Sequence, residues 1–159
     1  MTVRIRFAER RDVPLIVRLI KSLSVYEKLD HMVVANEEKV EKALFGERPY
    51  AETLIAELDE RPVGFALFFH NFSTFLAQPG IYLEDLFVEP EHRGAGIGRA
   101  LLSRLAEIAI ERECGRLEWA VLDWNKDAIG FYERLGAQPQ DDWTVYRLTG
   151  EPLRRLAGE

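Results

Sequence analysis

A glycine-rich turn at residues 93–98, with the sequence RGAGIG, is the stretch whose residue types most directly indicate chemistry. It follows an apolar strand that carries two adjacent acids, Glu84 and Asp85, and it opens a long amphipathic helix. Glycines let backbone N–H groups approach a ligand, and a helix N-terminus adds a partial positive charge, so the combination can bind a phosphate group. A tight strand-to-helix turn that needs glycine only for its backbone geometry explains the same residues. The turn by itself leaves both interpretations open.

Two common nucleotide-binding fingerprints fit this turn poorly. The P-loop pattern requires a Lys followed by Ser or Thr after the last glycine, and neither follows Gly98. The Rossmann fingerprint requires its third glycine three residues after the second, whereas Gly98 comes two residues after Gly96. The turn is therefore assigned to neither class.

Composition limits the classes of partner. The 159 residues, 47% of them hydrophobic and 30% charged, predict one globular domain spanning residues 1–159. The net charge of -6 argues against nucleic acid as the main partner, because phosphate backbones attract basic surfaces. An acidic balance is compatible with a cationic substrate, although acidity for solubility alone is the preferred interpretation.

The cysteine, the histidines and the apolar runs limit which disulfides, metal sites and membrane spans are expected. Cys114 is the only cysteine, so neither an internal disulfide nor a thiolate metal cluster is expected. His31, His70 and His92 show no metal-ligand spacing, and we predict no metal. The chain begins with strand-like alternation in place of a signal segment, and no apolar run approaches the length of a membrane span. We therefore expect a cytoplasmic protein without a membrane partner.

Periodicity predicts elements in the order β-α-α-β-β-β-α-β-α-β, which is typical of a mixed α/β domain. Three helices have predicted polar caps or stops, with Asp12 and Asn36 as the first two caps and Asn125 as the third. The predicted strands are residues 3–7, 53–58, 62–72, 81–88, 117–122 and 143–148. The predicted helices are residues 12–27, 36–44, 96–112, 125–135 and 149–156.

Two segments together resemble the acetyl-CoA-binding core of the GNAT acetyltransferases. The family signature Arg/Gln-x-x-Gly-x-Gly/Ala is matched by Arg93, Gly96 and Gly98, directly after the strand YLEDLFV. The later segment 124–137, WNKDAIGFYERLGA, is similar to the second cofactor-contacting segment of the family. The resemblance covers the whole chain. It implies a single α/β domain with a mixed, mostly antiparallel central sheet of six or seven strands and helices on both faces.

A closer resemblance is to the diamine acetyltransferases, the spermidine/spermine and thialysine group. It is carried by residues 21–27, 82–88 and 94–98, with Trp124-Asn125 and Phe131-Tyr132. This resemblance implies transfer of an acetyl group from acetyl-CoA, as cosubstrate, to a small cationic amine. The loops at 71–80 and 139–142 depart from the animal diamine enzymes, which leaves the particular amine open.

The resemblance also implies two catalytic residues. An alkyl ammonium has a pKa of about 10.4, so it must lose a proton before it can attack. Glu84 is the implied base, directly or through water, and the alternative is that it only attracts the substrate cation. Tyr132 is the implied acid that protonates the leaving thiolate, and the alternative is an aromatic packing pair with Phe131.

Cofactor contacts follow from the same resemblance. Backbone amides of the strand would pair with the pantetheine arm and polarise the acetyl oxygen, the glycine turn would hold the pyrophosphate, and the second segment would hold the pantetheine or adenine side. The predicted cofactor-binding residues are Leu86, Phe87, Val88, Arg93, Gly94, Ala95, Gly96, Ile97, Gly98, Arg99, Asn125, Lys126, Asp127 and Ala128.

Acceptor contacts are predicted on acids and aromatics, because acids attract a dication. Asp85 belongs to this set, although regular strand alternation places its side chain on the face opposite Glu84. Asp141 and Asp142 also fit a solvated loop, which is the preferred interpretation for those two. The predicted acceptor-binding residues are Tyr26, Glu27, Glu84, Asp85, Glu118, Trp119, Ala120 and Asp141.

Two rival functions remain at this point. One is acetylation of a peptide or protein amine, and the other is a non-catalytic acyl-CoA sensor, which would need neither Glu84 nor Tyr132. The family resemblance implies a homodimer, for which aromatic residues near Trp143 and Tyr146 and the segment 153–156 could form the partner surface.

Overall fold

The structure, a computed structural model, describes residues 2–159, which divide into two compact units with the chain boundary after Leu122. The first unit holds all the strands and three of the helices, and the second holds two helices. The elements are β1 (Val3–Phe7), α1 (Val13–Tyr26), α2 (Glu37–Phe45), β2 (Glu52–Leu58), β3 (Arg61–Ser73), β4 (Gln78–Val88), α3 (Ile97–Glu111), β5 (Leu117–Trp119), α4 (Lys126–Arg134) and α5 (Gly150–Leu156).

The first unit is built on one five-stranded sheet in the order β1-β2-β3-β4-β5. The first four strands form antiparallel pairs between chain neighbours, and β5 pairs in parallel with β4 over Ile81–Leu83. A parallel pair needs a crossover, which α3 supplies between these two strands. The sheet is therefore mixed and mostly antiparallel, as predicted.

Helices cover both faces of this sheet. On one face α1 and α2 bury Ile16, Leu19 and Leu44 against a row formed by Ile55 and Phe65. The alternate positions of the strands face α3. The guanidinium of Arg104 in α3 lies over the ring of Phe7, and that of Arg112, the residue after the helix, lies over the ring of Phe68. The buried stripe of α3 recurs at the helical spacing that its sequence predicts, and consists of Ile97, Leu101, Leu102, Leu105, Ile108 and Ala109.

Predicted caps are found at three helix starts, with one difference in chemistry. The side chain of Asn36 accepts a hydrogen bond from the Lys39 backbone at 2.8 Å, and that of Asn125 accepts one from Ala128. Asp12 stands at the start of α1 but makes no cap hydrogen bond with that helix. Its carboxylate instead binds the guanidinium of Arg6 at 2.8 Å and the backbone N–H of Glu9. This arrangement ties β1 to the beginning of α1.

The predicted strand at residues 143–148 is wrong. This segment of the second unit adopts neither helix nor strand, and the side chains of Trp143 and Tyr146 are exposed. Aromatic and β-branched residues give it strand propensity, but a strand forms only where its backbone pairs with another. The second unit, which the structure describes over residues 123–159, contains no strand.

The strand count and one strand boundary are corrected as well. The sheet has five strands instead of the expected six or seven. The fifth ends at Trp119 instead of Leu122, because β4 pairs with only three residues of it. The predicted terminal helix is confirmed as α5. Within the described residues, every helix is too short or too polar to span a bilayer.

Candidate active site

A bulge in β4 creates the centre of the candidate site. Asp85 pairs with Leu67 and Leu83 pairs with the next residue of β3, Phe68, so Glu84 has no partner of its own across the ladder. Such an extra residue bends a strand and changes the direction of its side chains. The prediction that Glu84 and Asp85 point to opposite faces assumed an unbroken strand, and this assumption does not hold here. Glu84 is exposed, whereas Asp85 is partly buried.

Beyond the bulge, one edge of β4 is left without a strand partner. Pairing with β5 ends at Leu83, while pairing with β3 continues to Val88. Among the described residues, the β5-side edge from Glu84 to Val88 therefore has no neighbouring strand. The backbone groups on such an edge can pair with an extended, amide-bearing ligand in the way that strands pair with peptides.

Three carboxyl groups of the first unit influence one another at this point. Burial raises the pKa of Asp85 to about 7, and the charges of Glu84 and Glu27 add to the rise. Burial also raises the pKa of Glu27, with a further contribution from Glu84. The structure thus brings together three of the predicted acceptor-binding residues, one from the end of α1 and two from β4.

The raised pKa of Asp85 has a testable consequence for stability. Because its pKa in the folded protein lies above the ordinary 3.8, the folded protein binds this proton more tightly than the unfolded chain does. Stability is therefore lost as the pH rises through the window from about 4 to about 7. We expect Asp85→Asn to increase the free energy of unfolding by about 2 to 4 kcal/mol at pH 8. The gain should shrink as the pH falls toward 4.

Urea titrations across this pH range would measure the effect. Asp30→Asn is the matched control, because Asp30 is exposed and lies outside the three-carboxyl group. A gain for Asp85→Asn that stays constant with pH would contradict a raised pKa.

Tyr82 is a site residue that sequence reasoning missed. It pairs with Glu118 across β4 and β5 and packs its ring 5.3 Å from that of Phe69. Burial raises the pKa of its phenol, and the charges of Glu84 and Glu118 add to this. The sequence signal for Tyr82 was its position two residues before Glu84, because residues two apart share a face in a regular strand.

The remaining predicted acceptor residues of the first unit have different settings. The carboxylate of Glu118 is held by Arg116 at 2.9 Å and by the amide of Asn71 at 3.1 Å, so its charge is partly offset. Trp119 is the last residue of β5, and Ala120 lies beyond it. Tyr26 ends α1 beside Glu27, and its ring lies under the guanidinium of Arg93.

The glycine turn has the geometry of an anion-binding helix start. Gly94 and Gly96 have φ values of 86° and 79°, a left-handed conformation that other residues adopt at a cost. Gly98 does not need this conformation, and a Cβ built on it would meet no atom within 4 Å. Packing therefore does not explain Gly98, and its missing side chain leaves open space at the helix start. The first-turn N–H groups of α3 have no intrahelical acceptor, and no side chain caps them, so these residues fit a phosphate group.

A compact group of possible metal ligands lies just before this turn. One ligand atom from each of Glu89, Glu91 and His92 falls within 4.8 Å of the others. The sequence spacing of the histidines did not indicate this group. The carboxylate of Glu89 is already paired with Arg18 of α1 at 2.6 Å.

The predicted site residues of the second unit are concentrated on α4. Asn125 caps this helix, whose first turn contains Lys126, Asp127 and Ala128. Phe131 and Tyr132 are both partly buried, and their ring centroids are 5.7 Å apart. Asp141 is exposed in a segment without regular structure, which agrees with the solvated loop preferred from sequence.

A bulged strand with an open edge leads into an uncapped glycine turn, and comparison with known families identifies the class of protein in which they occur here. The model of the acetyltransferase (GNAT) family matches residues 19–137, and the chain belongs to this family. It is a GNAT acetyltransferase, and members of this family use acetyl-CoA as cosubstrate.

Individual relatives are similar over nearly their full length. Thialysine N-epsilon-acetyltransferase of Bos taurus is 41% identical, over 99% of this chain and 98% of the relative. L-ornithine N5-acetyltransferase of Arabidopsis thaliana is 33% identical, over 98% of this chain and 88% of the relative. Among solved structures, an integron cassette protein of V. cholerae superposes with a TM-score of 0.83 at 30% identity, over 100% of this chain and 99% of that protein. The chain thus matches the diamine and thialysine group that its motifs indicated.

Proposed function

We propose that this enzyme transfers an acetyl group from acetyl-CoA to a primary amine of a small cationic acceptor, a diamine, a polyamine or a lysine-like amine. The observation that carries the proposal is the group formed by Glu27, Glu84 and Asp85. Among residues 2–159, none of these three carboxyl groups has an ion-pair partner. An acceptor with one or two ammonium groups supplies the missing positive charge. The names of the thialysine and ornithine relatives support the same class of acceptor.

The proposed cosubstrate contacts follow the open edge of β4 and the start of α3. Bound acetyl-CoA supplies the activated thioester. Backbone groups of Leu86, Phe87 and Val88 orient its amide-bearing arm, and one of their N–H groups polarises the acetyl oxygen. The backbone of residues 93–99 holds the pyrophosphate, since the turn presents unpaired N–H groups and open space. The segment from Asn125 to Ala128 is assigned to the pantetheine or adenine side.

Proton handling is assigned to Glu84 and Tyr132. Glu84, exposed on the bulge, accepts the proton of the acceptor ammonium directly or through water, and so generates the neutral nucleophile. Tyr132 on α4 donates a proton to the departing sulfur. Tyr26, Tyr82 and Glu27 then line the acceptor side, and charge from the carboxyl groups keeps the acceptor cationic until Glu84 takes its proton.

Two further parts of the proposal concern organisation. The family match runs from residue 19 to residue 137 and so includes parts of both units, which supports a single functional domain.

Trp143 and Tyr146 expose 80% and 93% of their surface, which supports a homodimer in which a second copy covers them. Sedimentation velocity measures that state directly, and a monomer at all concentrations would exclude it.

A panel of amines tests the proposed reaction. Purified protein with acetyl-CoA should release CoA thiol when offered diamines, polyamines, ornithine or thialysine. Each of these carries a second cation that the group of three carboxyls can attract. Acceptors with a single amine and no second charge should react more slowly. Preference for a peptide with a free amine would favour the rival protein acetyltransferase, and release no faster than hydrolysis across the whole panel would contradict the proposal.

A further inference from the structure

The segment that joins β4 to α3 is attached to α1 at two places. Glu89 binds Arg18 with a distance of 2.6 Å between carboxylate oxygen and guanidinium nitrogen. Arg93 places its guanidinium carbon 4.3 Å from the centre of the Tyr26 ring. The two contacts on α1 are eight residues apart, which corresponds to roughly 12 Å of helix. The glycine turn is thus connected to the helix that ends at the proposed acceptor side.

The side chain of Arg93 is occupied by the protein's own groups. Its Nε donates a hydrogen bond to the carbonyl oxygen of Val88 at 3.0 Å. Its guanidinium carbon lies over Tyr26 and 5.5 Å from the centre of the Phe87 ring. Arginine suits this position because its planar group can stack on a ring while an N–H at its edge donates a hydrogen bond. The guanidinium thus joins the end of β4 to the end of α1.

The neighbours of Arg93 and Tyr26 belong to the two proposed binding regions. Gly94, the next residue, adopts the left-handed conformation that begins the turn toward α3. Tyr26 precedes Glu27, whose charge raises the pKa of Asp85. The Arg93 contact therefore joins the residue that precedes Gly94 to the residue that precedes Glu27. Sequence matching alone assigned Arg93 to the cofactor and Tyr26 to the acceptor, without a link between them.

We propose that the Arg93 side chain is a positioning residue that fixes the acceptor-side Tyr26 to the glycine turn, so that occupation of the turn orders the acceptor side. This inference rests on the proposed function, because it assigns the turn to CoA and Tyr26 to the amine. The backbone of the turn still binds the phosphates. The guanidinium acts on the amine through Tyr26.

Steady-state kinetics separate this role from a general structural one. Arg93→Ala should raise the KM for the amine about threefold to fivefold, the size expected for loss of an exposed ring contact, with the KM for acetyl-CoA and kcat changed less than about twofold. Arg93→Lys keeps a cation near the ring and should recover part of the loss. Arg104→Ala is the matched control, since Arg104 also stacks on a ring, that of Phe7, at 5.9 Å. Equal increases in both KM values would overturn the inference.

Fluorine NMR tests the coupling without turnover. The chain has five tyrosines, so 3-fluorotyrosine labelling gives few signals, and Tyr26→Phe assigns the one of interest. Adding CoA should shift the Tyr26 signal in the unmodified protein and in Arg104→Ala, but at most weakly in Arg93→Ala. A Tyr26 signal in Arg93→Ala that responds to CoA as strongly as in the unmodified protein would overturn the inference.

Calorimetry with CoA distinguishes the two ways in which this experiment can fail. Binding heat together with an unresponsive Tyr26 in the unmodified protein overturns the positioning role and leaves the proposed function intact. Absence of binding heat overturns the proposed cosubstrate site, and the positioning role fails with it.

Discussion

Tyr132→Phe should lower kcat about 100-fold to 1,000-fold while the affinity for acetyl-CoA stays within about twofold. The substitution removes only the phenolic O–H, so the partly buried ring and its packing with Phe131 are retained. A thiolate that departs without a proton donor leaves more slowly, and this loss appears in turnover and not in binding. Initial rates at saturating amine, with calorimetry for acetyl-CoA, would measure both quantities.

The control for this substitution is Tyr50→Phe, which makes the same chemical change at an exposed position outside the candidate site. Its kcat should equal that of the unmodified enzyme. If Tyr132→Phe also kept its full kcat, the aromatic packing interpretation of Tyr132 would be correct and another group would have to donate the proton.

Glu84→Gln should lower kcat about 100-fold to 1,000-fold near neutral pH, with a smaller change in the KM for the amine. Without the base, only the neutral fraction of the acceptor can react, and that fraction rises about tenfold per pH unit up to the amine pKa of about 10.4. The deficit of the variant should therefore shrink as the pH is raised from 7 to 9. A pH series of kcat and KM would measure this recovery.

The same pH series distinguishes a Glu84 that acts as a base from a Glu84 that only attracts the acceptor cation. If Glu84 only attracts the acceptor cation, the KM for the amine rises, kcat persists, and no recovery follows at high pH. Glu111→Gln, an exposed glutamate of α3, is the control for the loss of one negative charge. Its kinetics should match those of the unmodified enzyme at every pH.

Most elements were predictable because their signals are local. The apolar stripes of α1 and α3 recur at helical spacing, and Asn36 and Asn125 make the cap hydrogen bonds that their residue type favours. The strand predicted at residues 62–72 is confirmed as β3, and its long apolar run is typical of a strand inside a covered sheet. In these cases the residue types that determine the structure lie within the element itself.

The errors concern features that depend on partners distant in sequence. Residues 143–148 have strand propensity but no strand to pair with in their unit, and β5 is limited to the three residues that β4 pairs with. The bulge at Glu84 arises from the register of two strands, which no single strand sequence reports.

The candidate site shows the same division. The glycine turn and the acids of β4 were found from local sequence, and the family resemblance added the proposed roles. The involvement of Tyr82, and the contact of Arg93 with Tyr26, depend on which elements lie side by side. Neither follows from residue spacing along the chain.

The distance along β4 also limits which acetyl donors can react. Glu84 and Val88 are separated by four residues of strand, or roughly 13 Å, and the glycine turn lies beyond Val88. In the proposed site, a donor holds its acyl carbon near the bulge while its anionic group reaches the start of α3. Acetyl phosphate, whose acyl and phosphate groups share one oxygen, can satisfy only one of these positions at a time. The length of the strand thus favours a donor with a long arm between its thioester and its phosphates.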